Sequence, residues 1–308
     1  MNIKVNKEKN NTYKIDVTVE SKKVDEAFEE ALKHEAENVD IKGFRKGKAP
    51  LNVVKENADK ANLRSHALNH LLQKIYTQII NEYKLKPIVY PKFDIKEFDE
   101  QKDLKLVVII VESPEIKLGD YKKEIEKITI SVSENEPQDI ASKIHITNQK
   151  IIEAVLKTCT VEVSEELVNE ELNRMMSSII DQTAKMGITV DQYLESIKKT
   201  PEQLRSEYKE KAISTLNADF LLTEISKQEK IEVSDGDVQK TIQAIPDDKS
   251  REQLAKPEQQ MYIKAVLLKN KTLQKLSEYI KKSETESNSK PKDSSEKDDS
   301  EGQKKEKK

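Results

Sequence analysis

Gly43-Phe44-Arg45-Lys46-Gly47-Lys48-Ala49-Pro50 reads as an ordered, basic loop set between helices. Two glycines four apart allow backbone turns that other residues resist. Pro50 biases Ala49 away from helix and closes the loop. Between the glycines sit an aromatic ring and two cations, and Lys48 follows. From Asp40 to Arg64 seven basic residues stand against three acids, a local surplus of four in a chain whose net charge is -3. An aromatic anchor beside an arginine able to pair bidentately suits docking on a protein or ribonucleoprotein surface. The competing reading is a solvated basic turn with Phe44 folded into its own core.

Working outward toward the N-terminus, Val24, Ala27, Phe28, Ala31 and Leu32 lie at helical spacing. Before them Tyr13, Ile15, Val17 and Val19 alternate with polar residues, the period of a half-buried strand. Ile3 and Val5 supply a partner strand, with the polar stretch Lys7 to Asn11 as the turn. After Pro50 two helices are expected, the second carrying Leu68, Leu71, Leu72, Ile75, Tyr76 and Ile79. Strand chemistry returns at Ile88 to Phe98 and Leu104 to Val111. These elements make a small α+β domain over residues 1–114.

Residues 115–160 read as a connector, with a short strand over Ile125 to Val132 and a helix over Asp139 to Leu156. Residues 161–282 are helical and well punctuated. Ser164 is an N-cap before Leu167, Val168, Leu172, Met175, Met176 and Ile179. Thr189 with Gln192, and Thr200 with Pro201 and Gln203, are capping boxes. The second launches a long helix to about Glu229. Ser234 caps another, and Met261 to Ile280 supplies one or two more. Residues 283–308 lack any large apolar side chain and read as a disordered tail. The expected fold class is an α+β N-terminal domain followed by a mainly α-helical domain, elongated in form.

Composition agrees. The 308 residues suffice for two domains on a prior of roughly 100–200 residues each. Charged residues reach 36% and apolar ones only 35%, with a mean hydropathy of -0.77, which suits thin helical layers better than one large core. The near-balance of 54 basic and 57 acidic residues argues against a dedicated nucleic-acid binder. The single cysteine, Cys159, excludes an intramolecular disulfide and reads as a structural thiol. No apolar run approaches the ~20 residues that span a bilayer. The polar start, Met1 to Asn10, lacks the apolar core of a signal peptide. A soluble, cytoplasmic protein that does not engage membranes is expected.

Enzyme chemistry finds little support. Gly43 to Gly47 is one residue short of a phosphate-binding loop, and Ala49 stands where Ser or Thr is required. His66 and His70 are four apart on a helix, a spacing that places two imidazoles on one face for a metal. No third ligand is evident in the sequence, so an ordinary polar face is the preferred reading. His34 and His145 are isolated. Met175, Met176, Ile179 and Met186 offer an adaptable surface for unfolded chains. The same stripe at helical spacing equally serves as core, which is favoured for most of it.

The loop resembles the ribosome-binding signature of trigger factors, Gly-Phe-Arg-x-Gly-Lys-x-Pro, with every fixed position present. Pro114-Glu115-Ile116, Leu118-Gly119-Asp120-Tyr121 and the block from Val161-Glu162-Val163-Ser164 through Thr200-Pro201-Glu202-Gln203-Leu204 to Ile231-Glu232-Val233-Ser234-Asp235 are similar to the same family. The resemblance implies an ATP-independent chaperone that docks beside the exit tunnel of the large ribosomal subunit and shields nascent polypeptides, assisting folding and export. Gly43, Phe44, Arg45, Lys46, Gly47, Lys48 and Pro50 would form the docking loop. Lys42, Lys48, Lys55 and Arg64 are the candidates for ribosomal RNA phosphates. The resemblance implies no cofactor, no metal and no catalytic residue, and it leaves a homodimer off the ribosome as a further partner state. Trigger factors usually carry a prolyl isomerase domain of the FK506-binding type between the two blocks. Here Tyr121 to Cys159 is only roughly 40 residues, below the usual ~50–250 of a domain. That domain is therefore expected to be missing, and a trigger factor with retained isomerase activity is the alternative.

Overall fold

The computed structural model describes residues 1–42, 44–129 and 140–280. Strands β1 (Asn2–Lys7) and β2 (Thr12–Val19) form an antiparallel hairpin. Its turn places Asn10 (φ 56°) and Asn11 (φ 50°) in the left-handed region, which asparagine tolerates better than most residues. Helix α1 (Ser21–Asn38) leads into the basic loop, followed by α2 (Leu51–Asn57) and α3 (Lys60–Tyr83). Strands β3 (Lys92–Glu97) and β4 (Leu104–Val111) complete an all-antiparallel sheet of order β1-β2-β4-β3.

The strand period decides which face is covered. Ile15, Val17 and Val19 of β2 stand opposite Val108, Leu106 and Leu104 of β4, and all six are buried. Val24, Ala27, Phe28 and Ala31 of α1 and Ala67, Leu71, Ile75 and Ile79 of α3 complete the same core. Phe28 stacks on Phe98 with ring centroids 5.0 Å apart. The strand expected from Ile88 begins only at Lys92. Pro87 and Pro91 have no N–H to give to a ladder, and Tyr90 between them is 98% exposed.

The chain continues through β5 (Ile116–Lys117), α4 (Tyr121–Glu126), α5 (Ile140–Thr158) and β6 (Thr160–Val161), with β5 and β6 antiparallel. Over its described part, residues 125–129, the strand expected from Ile125 to Val132 does not form. Ile125 lies in α4, where it and Tyr121, four residues apart, are both buried. Ile130 and Val132 lie outside the described residues, as does the tail at 283–308.

Helices α6 (Glu165–Lys185), α7 (Val190–Ser196), α8 (Pro201–Gln228) and α9 (Asp235–Gln243) start where the caps indicated. Thr189 and Thr200 each accept from the N–H three residues on, while Gln192 and Gln203 return the bond. Helices α10 (Asp248–Leu254) and α11 (Pro257–Ser277) follow. Apolar packing in this part is divided into three clusters. Tyr121, Ile125, Ile151, Leu221, Ile225 and Leu276 form one, centred between α4, α5, α8 and α11. Ile179, Leu194 and Leu204 form another, and Val233, Val238 and Ile242 a third. Small separate cores suit a chain with this low apolar fraction. No described helix is long and apolar enough to cross a membrane.

Candidate functional site

The basic loop is held at both ends and open in the middle. Helix α1 stops at Val39, whose N–H donates to the Glu35 carbonyl over 2.9 Å. Ile41 is buried and Ala49 packs on the sheet–helix core, so both shoulders of the loop are anchored. Between them the Phe44 N–H donates to the Ile41 carbonyl (3.0 Å) and the Lys48 N–H to the Arg45 carbonyl (2.9 Å). Gly47 closes the second turn at φ 75°, a conformation that favours glycine. Gly43 lies outside the described residues.

Phe44 is 42% exposed, so it is not folded into the domain's own core. Lys42, Arg45, Lys46, Gly47, Lys48 and Pro50 are exposed too. Among the described residues, no ion pair is formed by Lys42, Arg45, Lys46 or Lys48. Lys55 and Arg64 behave differently. Lys55 pairs with Glu100 at 3.1 Å, and Arg64 pairs with Asp99 at 3.1 Å while lying over the Phe98 ring. Their charges already have partners, so of the four candidates for phosphate contact, Lys42 and Lys48 are the two that form no ion pair among the described residues.

The methionine stripe divides. Ile179 is buried at the centre of its cluster and Met176 packs against it, which removes Ile179 from any accessible surface. Met175 is half-buried. Met186 is exposed, and so are Ile180 on α6 and Met261, Tyr262 and Val266 on α11. Apolar spacing alone did not separate these from core, because a helix in thin layers can show apolar residues on more than one face. Cys159 is a buried free thiol, which agrees with a structural role.

Between β5 and β6 the described residues form α4 and α5 and no further sheet. Comparison with known proteins gives the same organisation. Residues 1–146 match the family model for bacterial trigger factor protein, and residues 124–278 match that for its C-terminus. The two stretches overlap, so the N-terminal and C-terminal regions adjoin with no isomerase domain between them. The trigger factor of Clostridium botulinum strain Hall is 33% identical over 152 residues, 49% of this chain and 35% of its own. Those of Clostridium tetani (31% over 152 residues) and Clostridium kluyveri (32% over 151 residues) match 49% of this chain and 35% and 34% of theirs. The chain thus spans about a third of the length of these curated relatives. A solved structure described as "Promiscuous Substrate Recognition in Folding and Assembly Activities of the Trigger Factor Chaperone" shares the fold. Its TM-score is 0.58 at 14% identity, over 90% of this chain and 99% of that one. With family models running from residue 1 to residue 278 and the fold in agreement, the chain belongs to the bacterial trigger factor family.

Proposed function

We propose that the chain is an ATP-independent cytoplasmic chaperone that docks on the ribosome through residues 42–50 and shields emerging polypeptides. The observation that carries this reading is Phe44, a large aromatic 42% exposed on an anchored loop, among cations that form no ion pair among the described residues. A domain acting alone gains nothing from exposing that ring. An interface does, since an aromatic anchor with an arginine beside it is the side-chain set that dominates binding hot spots. Arg45 supplies a planar fork for carboxylate or phosphate, and Lys42, Lys46 and Lys48 supply point charges. Docking through phosphate contacts weakens as salt rises.

The helical part receives the client. Ile180, Met186, Met261, Tyr262 and Val266 give scattered apolar contacts on a charged scaffold, which favours weak, reversible holding. Chemistry is not needed for that action; local concentration beside the emerging chain is enough. The test is ribosome co-sedimentation of the wild type and of Phe44→Ala/Arg45→Ala/Lys46→Ala across a salt series. The wild type should pellet with ribosomes at low salt, and the variant should remain in the supernatant with an unchanged circular dichroism spectrum. Equal pelleting of both proteins removes residues 42–50 as the docking site, and pelleting of neither removes the ribosomal role.

A further inference from the structure

At the tip of the β1–β2 hairpin Asn10 and Asn11 have φ of 56° and 50°, and the Thr12 N–H donates to the Lys9 carbonyl over 3.3 Å. Positive φ at both central residues makes this a type I′ turn, in which glycine is the preferred second residue. Asparagine stands there instead, and both asparagine side chains bond outside the hairpin. Asn11 donates through Nδ2 to the Ser113 carbonyl at 2.8 Å, and its own carbonyl accepts from the Glu112 N–H at 3.0 Å. Asn10 donates through Nδ2 to the Val163 carbonyl at 2.9 Å, in a part-buried bond. One turn thus grips the chain where it leaves the α+β domain and again where it enters α6.

Val163 is placed to transmit that grip. It precedes Ser164, the buried N-cap whose Oγ accepts from the Leu167 N–H at 3.3 Å and starts α6. A bond to the Val163 carbonyl therefore fixes where α6 begins, and α6 packs on α8 through Ile179 and Leu204. Elsewhere the joint is loosely filled. Among the described residues, none of the apolar clusters draws from both sides of the neck at residues 112–115. A cavity of about 390 Å³ lies at the β1–β2 corner of the sheet, lined by Lys7 and Glu8 and, across it, Lys117 and Glu162. A second, of about 310 Å³, lies at the β3–β4 corner, between Val89 and Ile109 and the α6 residues Glu166 and Asn169. The Lys92–Glu166 pair crosses there at 3.4 Å, but its lysine is 69% exposed and solvent screening leaves it weak.

We infer that Asn10 is the positioning residue of this joint: its bond to Val163 holds the α+β domain at one angle to the helical part. Two parts of a chain that share no large apolar interface move relative to one another by default. A neutral hydrogen bond adds little to global stability. This one acts where apolar packing is missing, and there it decides the angle. Under the proposed function that angle keeps Ile180 and Met186 at a fixed place relative to Phe44. The angle is a property of the free chain, and holds whether or not residues 42–50 meet a ribosome.

The experiment places spin labels on the full chain at Gln73→Cys on α3 and Glu210→Cys on α8, both exposed, while the native Cys159 is buried. Double electron–electron resonance should give one narrow distance peak when Asn10 is intact. Asn10→Gly suits the turn and removes the donor. Asn10→Asp tolerates the left-handed region but, ionised, only accepts. Each should lose the narrow peak to a broad distribution, with the circular dichroism spectrum and urea midpoint close to those of the wild type. Asn6→Ala, whose side chain bonds Asp16 within the hairpin at 3.1 Å, should keep the narrow peak. A broad distribution with Asn10 intact overturns the proposal. So do narrow peaks in both Asn10 variants, which would leave the angle to the neck and the Lys92–Glu166 pair. Equal broadening in Asn6→Ala would make general loosening of the hairpin the cause and remove the positioning role.

Discussion

Gly119 and Gly47 lack side chains for different reasons, and the difference can be measured. A Cβ on Gly119 would stand 2.0 Å from the carbonyl oxygen of Thr158, a backbone atom that cannot rotate aside. Gly119→Ala must therefore push β5 and the end of α5 apart, and about 1–3 kcal/mol of destabilisation is expected in urea unfolding, as for an overpacked core. At Gly47 the nearest atom to an added Cβ is the Glu37 carbonyl at 3.5 Å, an ordinary contact, so the cost is conformational. Gly47→Ala should lose about 1 kcal/mol through its positive φ and loosen the turn that presents Arg45 and Lys46. Asp237 gives a pH test at the same scale. The hydrogen bond from Lys271, then those from Ser234, lower its carboxyl from the ordinary value to about 2. Its contribution is full above pH about 4 and declines as pH falls toward 2. The difference in urea midpoint between wild type and Asp237→Asn should be constant from pH 7 to 5 and shrink between pH 4 and 2.5. A gap that widens on acidification would sink that account. Gly47 was legible because its turn is local, between paired glycines and a proline. Gly119 was not, since its constraint comes from a chain segment brought back by β6.

Helix starts were the most legible elements for the same local reason. A capping box needs only four residues, and Thr200-Pro201-Glu202-Gln203 holds the whole device: hydroxyl acceptor, proline where no N–H is needed, and glutamine to return the bond. Thr200→Ala should cost about 1 kcal/mol, read from the urea midpoint, whereas Thr200→Ser should cost little. The elements that sequence reading missed lack such signals. Helix α10 has no buried residue, so no apolar period marks it. Strands β5 and β6 are two residues each and exist only as a mutual pair. Within 125–132, β-branched residues pointed to strand, but Asp120 accepts from the Lys123 N–H and starts a helix whose Tyr121 and Ile125 the neighbouring helices bury. Tertiary burial decided there, and propensity lost.

For the whole molecule, the question is whether the part that docks depends on the part that holds. The sheet–helix core draws all its buried residues from Ile15 to Ile110, and the four strands of its sheet pair with one another between Asn2 and Val111. Contacts that cross to the helices include the Asn10 side-chain N–H to the Val163 carbonyl at 2.9 Å and a Lys92–Glu166 ion pair at 3.4 Å. The lysine of that pair is 69% exposed, so the pair contributes little to stability. A fragment of residues 1–114 should therefore fold cooperatively alone, with an unfolding midpoint close to that of the same region in the full chain. If the basic loop supplies all the phosphate contacts, its ribosome binding should fall with salt along the same log–log slope as the full chain. Each lysine contact removed, Lys42→Ala or Lys48→Ala, should reduce that slope by roughly one contact's worth, about 0.7–0.9. Lys55→Ala should leave it unchanged, because Glu100 already neutralises that cation. A fragment that folds but binds with a shallower slope would mean that basic residues of the helical part also reach the ribosome. The docking surface would then have to be extended beyond residues 42–50.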